Sequence, residues 1–187
     1  MPPRSNAEKL KAVMRGFDDG TSGESFPKFE PHVTLASLPL DIPVSAILAG
    51  VPQGQKQIDI SYKSLEIGTH YFRSVYIAVK LSPELSALHQ HVHAALQTDP
   101  KTPAYPHLSL AYVTDKDAET RLRHQFAESL EVKEANDGIA LGVGDGRDES
   151  KDWIAGFRAD EIWIVRCEGP VETWKVLDII RLHDNNP

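Results

Sequence analysis

Apolar residues recur at the three- and four-residue spacing of an α-helix in three long stretches of the chain. These stretches begin at Ser5, Ser82 and Thr114, whose hydroxyl groups can cap a helix N-terminus. Glu8 completes a capping-box pattern with Ser5, and Pro83 suits the first turn of the second helix. The pattern predicts helices over residues 5–17, 82–96 and 114–130, with a shorter helix over residues 43–49.

Apolar and polar residues alternate over much of the remaining chain, which is the pattern of half-buried β-strands. The segments 68–70 and 168–170 each separate two such runs and predict hairpin connections. The predicted strands cover residues 28–37, 56–67, 71–81, 107–113, 139–143, 160–167 and 171–182. Strand hairpins segregated from helices favour an α+β fold. No linker or low-complexity tract divides the chain, so we expect residues 1–187 to form a single domain with two pseudo-symmetric lobes.

One short pattern occurs twice, once in each half of the chain. The first copy reads Pro31-His-Val-Thr-Leu-Ala36 and the second reads Pro106-His-Leu-Ser-Leu-Ala111. Because side chains alternate between the two faces of a strand, His32 shares a face with Thr34, and His107 shares a face with Ser109. Each strand therefore offers one imidazole beside one hydroxyl group.

The residue types of this pattern suit proton transfer on an anionic substrate. An imidazole exchanges protons near neutral pH, and a hydroxyl group on the same face can donate a hydrogen bond to a phosphoryl or acyl oxygen. A single His-x-Thr is more simply explained as a strand with a polar outer face. Two copies that match in Pro, His, hydroxyl, Leu and Ala are not required by strand alternation, so we interpret them as two halves of one site.

Composition and charge narrow the class of protein. The formal net charge of −7 argues against a long nucleic-acid partner, which needs clustered Lys and Arg, but is compatible with a small anion in a local pocket. The chain has one cysteine, Cys167, so it forms no intrachain disulfide, and it shows neither a signal-peptide core nor an apolar run of about 20 residues. We expect an intracellular, cytoplasmic monomer with no membrane partner.

Other candidate sites are weaker. His89 and His93 share a face of the second predicted helix and could clamp a metal, but no third ligand is evident, so an exposed histidine cluster is the favoured interpretation. The glycine-rich segment 142–147 lacks the Gly-Lys-[Ser/Thr] ending of a phosphate-binding loop and predicts a surface loop. There is no Gly-x-Ser-x-Gly elbow, and Cys167 has no signature of a reactive thiolate.

The doubled motif resembles that of the plant and fungal cyclic phosphodiesterases, within the 2H phosphoesterase superfamily named for two His-x-[Ser/Thr] motifs. The likeness extends from the Phe29-x-Pro-His lead-in to the Trp-containing final hairpin at 163–182. It implies two lobes whose antiparallel sheets face a central cleft, with helices outside, and a hydrolase that opens cyclic phosphates without a metal or other cofactor. Relatives usually begin with a short strand, whereas only residues 1–4 precede the first predicted helix here.

The resemblance also implies roles for individual residues. His32 and His107 take the catalytic positions, Thr34 and Ser109 bind the phosphate, and Tyr112 matches an aromatic position at the cleft. The implied substrates are small cyclic phosphates: 2′,3′-cyclic nucleotides, opened to 2′-phosphates, and ADP-ribose 1″,2″-cyclic phosphate, opened to the 1″-phosphate. The resemblance also links these reactions to the metabolism of tRNA-splicing by-products.

Three matters stay open at the level of sequence. The same site could act on RNA ends with 2′,3′-cyclic or 2′,5′ linkages, or the chain could be a nucleotide-binding module without turnover. Tyr105 and Trp153 are further candidates for stacking on a base. Arg73 and Tyr76 lie on opposite faces of one predicted strand, so at most one of them faces the cleft.

Overall fold

The computed structural model describes residues 1–15, 24–100, 105–144 and 152–184. Within these residues the chain has an α+β architecture, which confirms the predicted fold class. The helices are α1 Arg4–Arg15, α2 Val44–Gly50, α3 Pro83–Ala95, α4 Asp115–Ala118 and α5 Leu122–Ser129, with a short 3₁₀ turn at Val171–Thr173. No helix among the described residues is long and apolar enough to cross a membrane.

The strands form three antiparallel sheets. They are β1 Ile58–His70, β2 Arg73–Val79, β3 His107–Ala111, β4 Val132–Ala135, β5 Gly138–Val143, β6 Asp152–Ile154, β7 Gly156–Ala159, β8 Glu161–Arg166 and β9 Lys175–Arg181. A four-stranded sheet has the order β3-β2-β1-β7, a three-stranded sheet has the order β4-β5-β6, and β8 pairs with β9 as a hairpin. Strands β4, β6 and β7 are short and were not predicted.

Helices α2 and α3 match the predicted positions, and the Ser82 hydroxyl accepts the Leu85 N–H as a cap. The capping box at the first helix is wrong: α1 begins at Arg4, so Ser5 lies inside it, and the Ala7 N–H bonds to the Pro3 carbonyl at 2.9 Å. The predicted end of this helix falls within residues 16–23, outside the described residues.

The third predicted helix is two helices, α4 and α5. Thr114 caps α4 as predicted, accepting the Asp117 N–H, but Arg121 adopts the left-handed conformation with φ of 65° and interrupts the helix. The buried Arg123 guanidinium then donates to the Val113 carbonyl at 3.1 Å and to the Asp115 carboxylate at 3.0 Å. The break in the helix thus allows the Arg123 guanidinium to reach Val113, just after the end of β3.

The β1–β2 hairpin turns at Tyr71 and Phe72, three residues later than predicted. Gly68 lies inside β1, where a Cβ atom would be 2.1 Å from the Arg73 carbonyl oxygen. Only a residue without a side chain permits this close approach.

One apolar core lies on a single face of the four-stranded sheet. Val75, Ile77 and Val79 alternate along β2 and are buried, whereas Tyr76 and Ala78 between them are half-buried on the opposite face. The largest fully buried apolar side chains come from α1, from β1, β2, β3 and β5, and from α5: Leu10, Tyr62, Ile77, Leu108, Leu110, Phe126 and Leu141. The opposite face is therefore free to carry polar residues.

Candidate active site

The two copies of the motif lie side by side. The second copy forms β3, and the first is an extended segment whose Val33 pairs with Leu108 in one antiparallel bridge. This register places His32 beside Ser109 and Thr34 beside His107, with all four side chains on the same face. The predicted strand over 28–37 is wrong in one respect, because it makes a single bridge and no continuous ladder.

A polar network joins the approach to the first motif to the end of the second. The Phe26 N–H donates to the Tyr112 carbonyl at 2.8 Å, and the Thr114 N–H donates to the buried Ser25 hydroxyl at 3.0 Å. The Ser25 hydroxyl in turn donates to the Asp117 carboxylate at 2.5 Å. These bonds fix the two motif segments relative to each other.

The His32 imidazole is held by the backbone of its own segment. Its Nδ1 lies 2.7 Å from the Glu30 carbonyl oxygen, which can only accept, so Nδ1 carries the proton and Nε2 has a free lone pair. Burial lowers the pKa of His32, which favours the neutral imidazole at neutral pH. The Lys11 ammonium binds the Glu30 carboxylate at 2.8 Å and so ties this segment to α1.

A cavity of about 750 Å³ opens beside the first motif. His32 and Thr34 line it, and the β8–β9 hairpin supplies the further lining residues Trp163, Cys167 and Trp174. His107 and Ser109 are not among its lining residues. The volume is in the range of small-molecule sites, and the first motif forms one of its walls.

The second motif lies under the β1–β2 turn. Ser109 is 5% exposed, and its hydroxyl donates to the Phe72 carbonyl at 3.0 Å and interacts with the Tyr112 hydroxyl. Burial raises the pKa of Tyr112. The neighbouring turn thus fixes the orientation of the Ser109 hydroxyl.

The Tyr112 ring lies inside a group of aromatic side chains that we call the aromatic cluster. Phe29 stacks on it with ring centroids 4.1 Å apart, and Phe72 meets it edge to face at 5.4 Å. Tyr71 and Trp174 complete the cluster. Tyr112 is 3% exposed and lies beside Ser109 within this cluster. Its contact with a substrate stays a prediction.

Sequence reasoning missed Phe72 and Trp174. The Phe72 side chain is 44% exposed although its carbonyl accepts from Ser109, and its ring lies 5.8 Å from that of Trp174. The buried Trp174 Nε1–H has no hydrogen-bond partner among the described residues, whereas the Trp163 Nε1–H donates to the Glu161 carboxylate at 2.7 Å. Phe72 was placed inside a strand run and Trp174 in a hairpin, and neither position carries a local signal for a site.

The weaker candidates lie elsewhere. Tyr105 stacks on His89 at 4.0 Å, and the Lys133 ammonium lies 4.1 Å from the centre of the Trp153 ring. The prediction of an exposed histidine cluster is wrong for His93, which is buried. Its Nδ1 lies 2.9 Å from the Thr98 hydroxyl. Among the described residues, no three His, Cys, Asp or Glu side chains group as metal ligands. Residues 145–147 of the glycine-rich segment 142–147 lie outside the described residues, while residues 142 and 143 end β5.

Comparison with known proteins gives matches over nearly the whole chain. The family model described as cyclic phosphodiesterase-like protein matches residues 1–182. A 2′,3′-cyclic-nucleotide 3′-phosphodiesterase of Yarrowia lipolytica is 27% identical over 231 aligned positions, covering 95% of each chain. A cyclic phosphodiesterase of Arabidopsis thaliana is 25% identical over 195 positions, covering 98% of this chain and 92% of that protein.

Proposed function

The chain belongs to the family of cyclic phosphodiesterase-like proteins, and we propose that it hydrolyses 2′,3′-cyclic nucleotides to nucleoside 2′-phosphates at the paired motifs. The family match confirms the expected type of enzyme, a phosphodiesterase. The name of the Yarrowia relative supports cleavage on the 3′ side of the cyclic phosphate. The observation that carries the proposal is the Val33–Leu108 bridge, which puts two imidazoles and two hydroxyl groups on one face.

In the proposed reaction, water attacks the phosphorus and the bond from phosphorus to the ribose O3′ breaks. One imidazole, His32 or His107, takes a proton from the attacking water, and the other, protonated, gives a proton to the departing O3′. The two transfers leave the pair with the same total number of protons, so no further acid or base is needed. Each histidine is expected to contribute about 10²- to 10⁴-fold to the rate.

The hydroxyl groups of Thr34 and Ser109 are proposed to donate to the non-bridging phosphoryl oxygens. Each lies next to the histidine of the other motif, so the phosphoryl group would sit between both pairs. Ser109 would exchange its bond to the Phe72 carbonyl for one to the substrate. These bonds accelerate the reaction because they strengthen as negative charge grows on the phosphoryl group.

We also propose that ADP-ribose 1″,2″-cyclic phosphate is a substrate and that neither reaction needs a metal ion. A cavity of about 750 Å³ beside His32 and Thr34 supports a substrate larger than the cyclic phosphate itself. The two imidazoles and two hydroxyl groups supply the acid, the base and the oxyanion donors that a metal ion supplies in other hydrolases. The formal charge of −7 favours these small substrates over long RNA.

The test is hydrolysis of adenosine 2′,3′-cyclic phosphate and of ADP-ribose 1″,2″-cyclic phosphate in excess EDTA, with product isomers separated by chromatography. The wild type should release the 2′- and 1″-phosphates, and His32→Ala and His107→Ala should each lose at least about 10²-fold in kcat. His91→Ala, at an exposed position of α3, is the matched control and should keep full activity. Failure of folded wild type to turn over either substrate would contradict the proposal.

A further inference from the structure

We propose that Tyr76 is a positioning residue for His107, holding its imidazole in the orientation that proton transfer requires. This inference rests on the proposed function, because it assigns Tyr76 a part in the same site. Position 76 falls in a strand run, and its side chain belongs to no motif in the sequence. The sheet register, a ring contact and the glycine beneath the tyrosine support this role.

The register puts Tyr76 on the face that carries the paired motifs. In the β2–β3 ladder Tyr76 pairs with Ser109, and Ala78 pairs with His107. Paired residues point to the same side of a sheet, so Tyr76 shares the face of His107 and Ser109 and leaves the opposite face to the core. Of the two alternatives at this strand, Tyr76 rather than Arg73 faces the site.

The Tyr76 ring touches the His107 imidazole directly. Their centroids are 5.3 Å apart and their planes are inclined by 68°, an edge-to-face arrangement. The residue opposite His107 is the small Ala78, which leaves the imidazole room beside the tyrosine ring. Rotation of the imidazole about its Cβ–Cγ bond would therefore change its contact with Tyr76.

On the side away from His107, the Tyr76 ring packs over Gly68 of β1. A Cβ atom at Gly68 would lie 3.3 Å from the Tyr76 Cε1 atom, so the ring packs closely over a strand position without a side chain. Tyr76 thus spans the sheet from β1 to β3, with Gly68 at one end and His107 at the other. A ring supported in this way can restrain the imidazole that it contacts.

The restraint matters because proton transfer depends on orientation. A general acid or base acts when its nitrogen is about 2.6–3.2 Å from the oxygen concerned, and misplacement by about 1 Å can cost about 10²-fold in rate. Tyr76 is half-buried and lies outside the core on β2, which consists of Val75, Ile77 and Val79. Its removal is therefore expected to affect the reaction more than the folding.

The experiment compares Tyr76→Leu with Tyr76→Phe, which keeps the ring and removes only the hydroxyl group. With adenosine 2′,3′-cyclic phosphate, Tyr76→Leu should lower kcat about tenfold or more and leave KM within about twofold, whereas Tyr76→Phe should keep kcat within about twofold of wild type. Melting curves check that both variants fold. A full loss in Tyr76→Phe, or no loss in Tyr76→Leu, would overturn the inference.

Histidine NMR titration gives a second readout that does not need turnover. In Tyr76→Leu the ring resonances of His107 should shift because the neighbouring aromatic ring is lost, while those of His32 stay at their wild-type values; unchanged His107 signals would also overturn the inference. Wild type without activity on any cyclic phosphate would instead contradict the proposed function, and the titration would still test the Tyr76–His107 contact. The two failures are therefore distinguishable.

Discussion

Ser74 is a small buried residue whose replacement by alanine should destabilise the protein measurably. Its hydroxyl oxygen accepts the Val113 N–H at 2.9 Å and lies 2.9 Å from the Tyr71 carbonyl oxygen, to which it donates. Ser74 and Val113 are both 0% exposed, so water cannot replace the lost partner. Ser74 thereby ties the β1–β2 turn to the chain that leaves β3.

The expected magnitude follows from these two bonds. Ser74→Ala leaves the Val113 N–H buried without an acceptor, which costs about 1–3 kcal/mol, and adds almost no cavity because only one oxygen is removed. Taking about 2 kcal/mol, and about 2–4 °C of melting temperature per kcal/mol for a chain of this size, Tm should fall by about 4–8 °C.

The assay is thermal or urea unfolding followed by circular dichroism, with Ser64→Ala as the matched control. The half-buried Ser64 bonds to the Glu66 carboxylate at 2.6 Å, so its loss should change the free energy of unfolding by no more than about 0.5 kcal/mol. If Ser74→Ala unfolded within experimental error of wild type, the reasoning that the Val113 N–H depends on this hydroxyl would be refuted.

Two further stability predictions follow. Burial, and to a smaller extent the nearby His93, lowers the pKa of His89. Because the unfolded chain then binds more protons than the folded chain as pH falls below about 6.5, Tm should drop between pH 7.5 and 5.5. The drop should be less steep in His89→Gln than in wild type or in the control His91→Gln. Trp174→Phe removes a donor for which the described part of the chain offers no acceptor, so it should not lower the free energy of unfolding. Trp163→Phe loses a hydrogen bond and should lower it by about 1 kcal/mol; the reverse order in urea unfolding would contradict this.

The sequence predicted the helices correctly where their structure depends on residues that are close together in the chain. The Ser82 cap and the apolar stripe of α3 are properties of one segment, and both were predicted correctly. The break between α4 and α5 was not, because Arg121 has no helix-breaking side chain and the buried contacts of Arg123 are made with residues outside α5. Tertiary contacts there override the helical pattern.

Some residues of the candidate site could likewise be predicted from local sequence, and others could not. His32, Thr34, His107 and Ser109 could be chosen from the sequence because the motif is repeated, and the structure places the two copies side by side. Phe72 and Trp174 could not be, and Tyr76 could only be offered as an alternative to Arg73, since each meets the site through a strand or turn remote from both motifs in sequence. The strand register and the turn position bring these residues to the site, and both depend on the assembled sheet.

In the proposed reaction, the crossed arrangement of the motifs bears on which of the two ester bonds of the cyclic phosphate is cut. With His32 beside Ser109 and Thr34 beside His107, a half-turn about the bridge exchanges one imidazole–hydroxyl pair for the other. These four groups alone would accept a cyclic phosphate equally well in either direction, and so would not distinguish its two ester oxygens. Selectivity must come from surroundings that lack this symmetry: Trp163 and Trp174 in the cavity wall on one side, Tyr76 against His107 on the other. If the proposed reaction takes place here, changes in these flanking residues are therefore the route to a different product isomer from the same four groups.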